Sequence, residues 1–354
     1  MDSVRRAGEN GRDRAIAVDR SSSAGSDTHS VAPGRRQATE RSPTGDSEPT
    51  APGGRSSRGR FAPSPTGPLH FGSLVAAMAS YVDARHRGGE WLVRIEDVDA
   101  PRTRKGADDD ILRTLERYGF EWDGPVWRQS KRVDAYRSVL SRLVERGIVY
   151  RCACGRRELA ALPIGRIGER VYPGRCRNGI LAEHARRHTA VRIRVPPAAI
   201  EFDDRVFGRY MQHLDRDVGD FVVRRSDGLF AYQLAVVVDD EAQRITDVVR
   251  GADLLASTPR QIFLQHVLGF ATPIYMHVPV AVDEHGAKFS KTTAAAALPD
   301  APLSALRAAW RFLGQRDVPA RSSVRDFWSW ASAHWRVDAI PAKLVQPIAA
   351  SFDH

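Results

Sequence analysis

The stretch RFAPSPTGPLHFGSLVAAMASYVDARHRGGEWLVRIEDVD, from Arg60 to Asp99, most constrains how this chain can fold. It opens on a short apolar strand, passes through a Pro/Gly-rich loop, and continues as a helix expected from about Phe71 to Arg87. WLVRIEDVD then supplies a second strand. Two strands joined across a helix run parallel in one sheet. Such sheets are covered by helices and receive ligands beyond the carboxyl ends of their strands. The expectation is an α/β protein whose crevice lies beside the loop after the first strand.

That loop runs through Pro63, Ser64, Pro65, Thr66, Gly67, Pro68, Leu69, His70, Phe71, Gly72 and Ser73. The prolines make it stiff and extended, and His70 and Gly72 stand where the helix begins. Backbone N–H groups at a helix start point outward with partial positive charge, so a polyphosphate can lie against them. Gly72 carries no side chain to block a nucleotide, and His70 can donate to phosphate oxygens as charge develops. In isolation, an ordinary proline-rich loop capping a helix would look the same. GAKFSKTT, Gly286 to Thr293, changes the balance: it sets Lys288 and Lys291 beside Phe289, Ser290, Thr292 and Thr293 in a chain with five lysines. Two cations on a loop suit a triphosphate and a departing pyrophosphate better than a merely solvated basic turn does.

Further helices are expected around Ala107 to Tyr118, Val133 to Arg146 and Pro259 to Leu268. Strand-like runs lie at Ala190 to Val195, Phe221 to Arg225, Leu234 to Val238 and Ile245 to Arg250. The last 60 or so residues hold helical stretches with four Trp, among them Trp310, Trp328 and Trp330. Residues 1–58 are rich in Ser, Gly, Pro, Arg and Asp and poor in apolar side chains, which marks a disordered tail. Its 8 acidic residues argue against a transit peptide. The formal charge of +10, of which +8 lies beyond the tail, favours a polyanionic partner, although 48 of the 53 basic residues are Arg and a compositional bias would also raise it. No apolar core of a signal peptide and no membrane-length apolar run occurs, so a soluble cytoplasmic protein is expected.

The paired motifs HFGS, at His70 to Ser73, and KFSKT, at Lys288 to Thr292, resemble the HIGH and KMSKS signatures of class I aminoacyl-tRNA synthetases. RFAPSPTGPLHFGS together with RIEDVD, at Arg94 to Asp99, is similar to the glutamyl branch of that family, over residues 59 to 293. Phe289 stands where the family has Met and Thr292 where it has Ser, but both lysines are kept. The resemblance implies a Rossmann-like catalytic domain split into 59–150 and 221–293, a zinc-binding insertion at 151–220, and a short helical region at 294–354 in place of an anticodon-binding domain. It also implies ATP with Mg²⁺ and L-glutamate as substrates, with His70, Gly72, Lys288 and Lys291 at the nucleotide. The family's glutamate-binding positions fall on Arg60, Phe61, Ala62, Pro63 and Ser64, and on Glu96, Tyr232 and Arg250. Guanidinium forks suit carboxylates, and Glu96 suits an ammonium group. Without the resemblance, Arg250 would read as a surface partner of Asp247 or Asp253 and Tyr232 as a packed aromatic. Asp97 and Asp99 are open between capping and substrate contact.

The three cysteines, Cys152, Cys154 and Cys176, make a poor disulfide framework and a plausible metal site in a reducing compartment. Zinc in structural sites takes four ligands. From chemistry alone His184 or His188 is the first place to seek the fourth, and three free buried thiols are the plain alternative. The resemblance points instead to Tyr172, through the spacing Cys-x-Cys and Tyr-x-x-x-Cys. About 60 residues follow Thr293, too few for the helical region that reads the anticodon in full-length glutamyl enzymes. Shortened members of the branch glutamylate queuosine in the anticodon of tRNA(Asp), which implies that RNA as acceptor; nothing in the sequence suggests an obligate partner chain, and a monomer is expected. The alternatives are a compact enzyme charging the tRNA 3′ end and a non-catalytic RNA-binding relative.

Overall fold

The computed structural model describes residues 56–283 and 298–348. Residues 1–55 of the tail expected over 1–58, and the whole Lys288–Thr292 loop, lie outside the described residues, whereas Ser57 is buried and Arg58 already belongs to the first strand.

Strand β1 (Arg58–Phe61) is followed by helix α1 (Phe71–His86) and strand β2 (Glu90–Ile95), and β1 and β2 pair in parallel. This is the crossover unit expected from the sequence. His70 caps α1, its side chain accepting from Ser73 N at 3.3 Å, while Arg85 and His86 in the last turn complement the helix dipole. Helix α2 (Ala107–Arg117) opens on Asp108, Asp109 and Asp110, which suit its positive end. It leads to β3 (Trp127–Arg128), parallel to β2, and to helix α3 (Val133–Glu145).

The cysteine segment begins in strand β4 (Val149–Cys152), passes through helix α4 (Arg156–Ala160) and returns in β5 (Ala190–Ile193). A hairpin of β6 (Ala199–Asp204) and β7 (Gly208–His213) follows, then helix α5 (Leu214–Asp217) and strand β8 (Val222–Arg224). Strands β4, β5 and β8 form one antiparallel sheet. The stretch 151–220 is thus shared between two sheets, because β6 pairs elsewhere.

Helix α6 (Tyr232–Ala242) occupies the run Leu234–Val238, where a strand was expected. All five residues of that run are buried, so no polar face breaks the apolar pattern to announce a helix. Strand β9 (Asp247–Gly251), helix α7 (Thr258–Leu268), strand β10 (Ile274–Val278) and strand β11 (Val280–Val282) complete this part. A further sheet has the order β7, β6, β10, β9, parallel except for the β6–β7 hairpin, and Thr246 N donates to Arg58 O at 3.0 Å, so that β9 lies beside β1. In the β9–β10 ladder Arg250 sits directly opposite His277.

Helices α8 (Pro302–Phe312) and α9 (Val324–Ala333) pack on α1, and β12 (Val345–Pro347) pairs with β11. Ser323 and Asp326 form a reciprocal cap at the start of α9. Trp328 donates its indole N–H to Tyr118 O at 2.9 Å and Trp335 donates to Asp83 Oδ1 at 3.0 Å, so the tryptophans fill the core while their polar atoms stay bonded. No helix among the described residues is long and apolar enough to cross a membrane.

Candidate active site

A cleft of about 850 Å³ opens at the carboxyl ends of β1, β2, β9 and β10. Its walls include Arg60, Phe61, Ala62, Pro63, Ser64, Thr66, Leu69, His70, Gly72 and Ser73 from the first loop, with Glu96, Tyr232 and Arg250 from three other elements. Segments 190 residues apart in sequence therefore meet where the crossover rule placed a crevice. Pro65, Gly67, Pro68 and Phe71 shape the loop without lining the cleft: Glu96 N donates to Pro63 O and Arg104 N to Pro65 O, both at 2.9 Å, which ties it to the chain after β2.

His70 Nδ1 accepts the backbone bond from Ser73, so the proton of the neutral ring sits on Nε2. Gly72 leaves room for this ring: a Cβ there would lie 3.2 Å from His70 Cε1. Substitution at Gly72 would push the imidazole.

The polar residues are held by partners that sequence reading did not single out. Arg60 is buried and donates to both oxygens of Asp240, Nε to Oδ1 at 3.2 Å and Nη2 to Oδ2 at 3.5 Å. Arg94, fully buried, reaches Asp240 at 2.8 Å and Glu96 at 3.3 Å. Burial alone would raise the Asp240 pKa, but Arg60 and Arg94 outweigh it and hold this carboxyl below its usual range. Glu96 goes the other way, its pKa raised by burial despite Arg94 and Arg60. Asp239 accepts from Gln129, Arg132 and Tyr136, so the end of α6 sends two acidic side chains into the core.

Arg250 is buried rather than a surface partner of Asp247 or Asp253. It donates Nε to His277 Nε2 at 3.1 Å, Nη1 to Gln261 Oε1 at 2.8 Å and to Tyr232 Oη at 3.4 Å, and Nη2 to Thr258 Oγ1 at 2.7 Å. Asp97 instead accepts from Ser130 N at 2.8 Å and its hydroxyl at 2.6 Å, and Asp99 pairs with Arg225 at 3.1 Å, so both acids have structural partners.

The cysteines also converge. Among the described residues Cys152, Cys154 and Cys176 are the one metal-capable group of His, Cys, Asp and Glu, their sulfurs all within 4.8 Å of one another. Tyr172 Oη lies 3.2 Å from Cys152 Sγ and 3.4 Å from Cys154 Sγ, and accepts from Cys176 N at 3.2 Å. Cys154 Sγ and Cys176 Sγ are 3.6 Å apart. A tetrahedral zinc with bonds of about 2.3 Å to sulfur and about 2.0 Å to oxygen needs edges of about 3.8 and 3.5 Å, close to these separations. His184 faces Glu183 at 3.3 Å instead, and neither it nor His188 belongs to the group. Tyr172 is brought in by its backbone: its N–H donates to Val218 O, and Gly219, at φ +71°, leaves no Cβ to strike Tyr172 O. The Arg192 guanidinium stacks 3.9 Å from the Tyr172 ring centre and donates to Cys152 Sγ at 3.4 Å. Burial opposes ionisation of Cys152, yet hydrogen bonds from Tyr172, the Cys154 N–H and Arg192 hold this thiol below its usual pKa, whereas burial pushes Cys154 up to about 11. A donor set of three thiols and a phenol beside one cation suits a divalent metal, which would be left with surplus negative charge for Arg192 to offset.

Comparison with known proteins gives the family. Residues 57–300 match the model of the tRNA synthetases class I (E and Q) catalytic domain. The chain is 59% identical over 290 residues to the glutamyl-Q tRNA(Asp) synthetase of Dechloromonas aromatica, covering 80% of this chain and 95% of that one. It is 56% identical over 300 residues to the protein of that name from Aromatoleum aromaticum, with 83% and 93% covered. Two glutamate-tRNA synthetase structures share the fold: one from Elizabethkingia meningosepticum with its amino acid (TM-score 0.68) and one from Elizabethkingia anophelis (TM-score 0.69). Each is 22% identical and is matched over 84% of this chain and 68% of its own. The chain belongs to the class I tRNA synthetase family of the glutamyl and glutaminyl branch, and is a ligase of the aminoacyl-tRNA synthetase type.

Proposed function

We propose that this enzyme activates L-glutamate with ATP and transfers it to queuosine in the anticodon of tRNA(Asp). A glutamate carboxylate oxygen attacks the α-phosphorus of ATP, and pyrophosphate leaves with the bond it loses. A hydroxyl of the queuosine cyclopentene diol then attacks the activated carbonyl, loses its proton, and displaces AMP.

The observation that carries the reading is the meeting, in one cleft, of the α1 start bearing His70 and Gly72 with Arg60, Glu96, Tyr232 and Arg250. The two arginines receive the carboxylates of glutamate and Glu96 receives its ammonium group. The His70 Nε2–H and the α1 N–H groups face the phosphates, which accumulate charge as the bond breaks. Lys288 and Lys291, outside the described residues, are assigned the pyrophosphate by their sequence context alone. Mg²⁺ enters with ATP as part of that substrate. Cys152, Cys154, Tyr172 and Cys176 would hold one zinc ion, which supplies rigidity to the cysteine segment and no chemical step. Relatives named for glutamyl-Q and tRNA(Asp), similar over nearly their whole length, support queuosine as acceptor.

The test is transfer of radiolabelled glutamate to purified tRNA(Asp) with and without queuosine, with tRNA(Glu) alongside. Label on queuosine-bearing tRNA(Asp) alone is the expected result. Label on tRNA(Glu) would overturn the acceptor and return it to the 3′ end.

A further inference from the structure

Arg60 and Arg250 stand in the same cleft but are anchored by opposite chemistries. Arg60 touches a carboxylate directly, Asp240. Arg250 touches a ring nitrogen: its Nε donates to His277 Nε2 at 3.1 Å, and the other face of that ring meets Asp204, Nδ1 to Oδ2 at 2.6 Å. Both His277 and Asp204 are buried, and Asp204 also accepts from Val206 N and Phe207 N at 3.0 Å, which fixes its carboxylate.

We propose that Asp204 and His277 are positioning residues for Arg250, aiming its guanidinium at a substrate carboxylate without neutralising it. The proposal rests on the assignment of Arg250 to glutamate. Asp204 keeps the proton on His277 Nδ1, which leaves Nε2 as an acceptor for the Arg250 Nε–H. A carboxylate in direct contact would hold the arginine equally well, but it would compete with the substrate for the same charge. A neutral imidazole supplies direction and little charge, and sets the Asp204 carboxylate one ring farther from the guanidinium. Burial and the neighbouring Arg250 lower the His277 pKa to about 4, so the ring is neutral at working pH. The β9–β10 register, which sets Arg250 opposite His277, builds the contact into the sheet.

The decisive variant is Asp204→Asn. Its amide oxygen can keep the backbone bonds, while its NH₂ donates to Nδ1 and forces the proton to Nε2, where it confronts the Arg250 Nε–H. The KM for glutamate should rise tenfold or more while the KM for ATP stays within about twofold, with ¹⁵N shifts of His277 reporting the changed tautomer. His277→Leu and His277→Gln form a second pair that decides the matter if Asp204→Asn does not fold. Leucine should raise the glutamate KM as Asp204→Asn does, and glutamine, which keeps an acceptor, should restore most of it. Equal rises in both KM values, or no difference between the leucine and glutamine variants, would overturn the positioning role. Arg250→Ala separates the two layers: an unchanged glutamate KM there would overturn the assignment of Arg250 itself, whatever Asp204→Asn does.

Discussion

The cleft and the cysteine centre are both clusters of buried polar side chains, but they are held in opposite ways. In the cleft, Arg60 on β1 meets Asp240 on α6 across 180 residues of sequence, and Arg250 on β9 meets His277 on β10 across 27. The fold exists first and brings the charges together. In the cysteine centre the four candidate ligands come from residues 152–176, and the atoms facing one another are soft thiols and a phenol. Such contacts give little cohesion until a metal ties them. One site is held by the surrounding sheet and helices, and the other is proposed to need a metal to hold its own segment.

That contrast breaks first at Cys176. The variant Cys176→Ser should take zinc from near stoichiometric to near none and open amide exchange across residues 152–176, while α1 and β9 stay protected. Unchanged zinc by atomic absorption, with unchanged exchange, would show that the protein scaffold alone holds the centre. The next largest effect is expected at Asp240→Asn, which takes the paired acid from buried Arg60 and leaves Arg94 with Glu96 and Asp239. Urea unfolding should show a loss of about 3–5 kcal/mol with zinc content intact; a loss under about 1 kcal/mol would mean that water reaches this network. The smallest effect is a pH dependence of stability. The native His277 pKa is about 4 against an ordinary 6.5, so between those values the unfolded chain binds a proton that the native chain refuses. Stability should therefore fall as pH drops from 6.5 to 4, by up to about 3 kcal/mol for this group. Asp204, Arg250 and Asp253 bear on the ring, so the contribution is read as the difference between wild type and His277→Gln. Parallel profiles for the two proteins would remove His277 from the account.

The parts of the fold that were legible in the sequence are those whose physics is local. The β1–α1–β2 unit follows from a run of neighbours, and the Cys-x-Cys and Tyr-x-x-x-Cys spacings lie on one short segment. The segment Leu234–Val238 was not legible: five consecutive apolar residues, three of them valine, fit a buried strand as well as a helix buried all round. That error hid the most consequential acids, because Asp239 and Asp240 follow directly and look like the polar end of a strand. They are 0% and 5% exposed. Asp204 and His277, 73 residues apart, carry no local signature at all; only the register of β9 against β10 and the end of β6 brings them to Arg250.

Helix α1 carries the proposed nucleotide-binding end at its first turn, yet its opposite flank is roofed by α8, α9 and their tryptophans. The family's matched region ends at residue 300, just before that roof. A gene fragment drawn to the matched boundary would strip the cover from Leu74, Met78 and Tyr81 and remove the Trp335 bond to Asp83. For anyone trimming, fusing or transplanting this enzyme, the smallest transferable module extends at least to Trp335, well past the boundary of the catalytic-domain match.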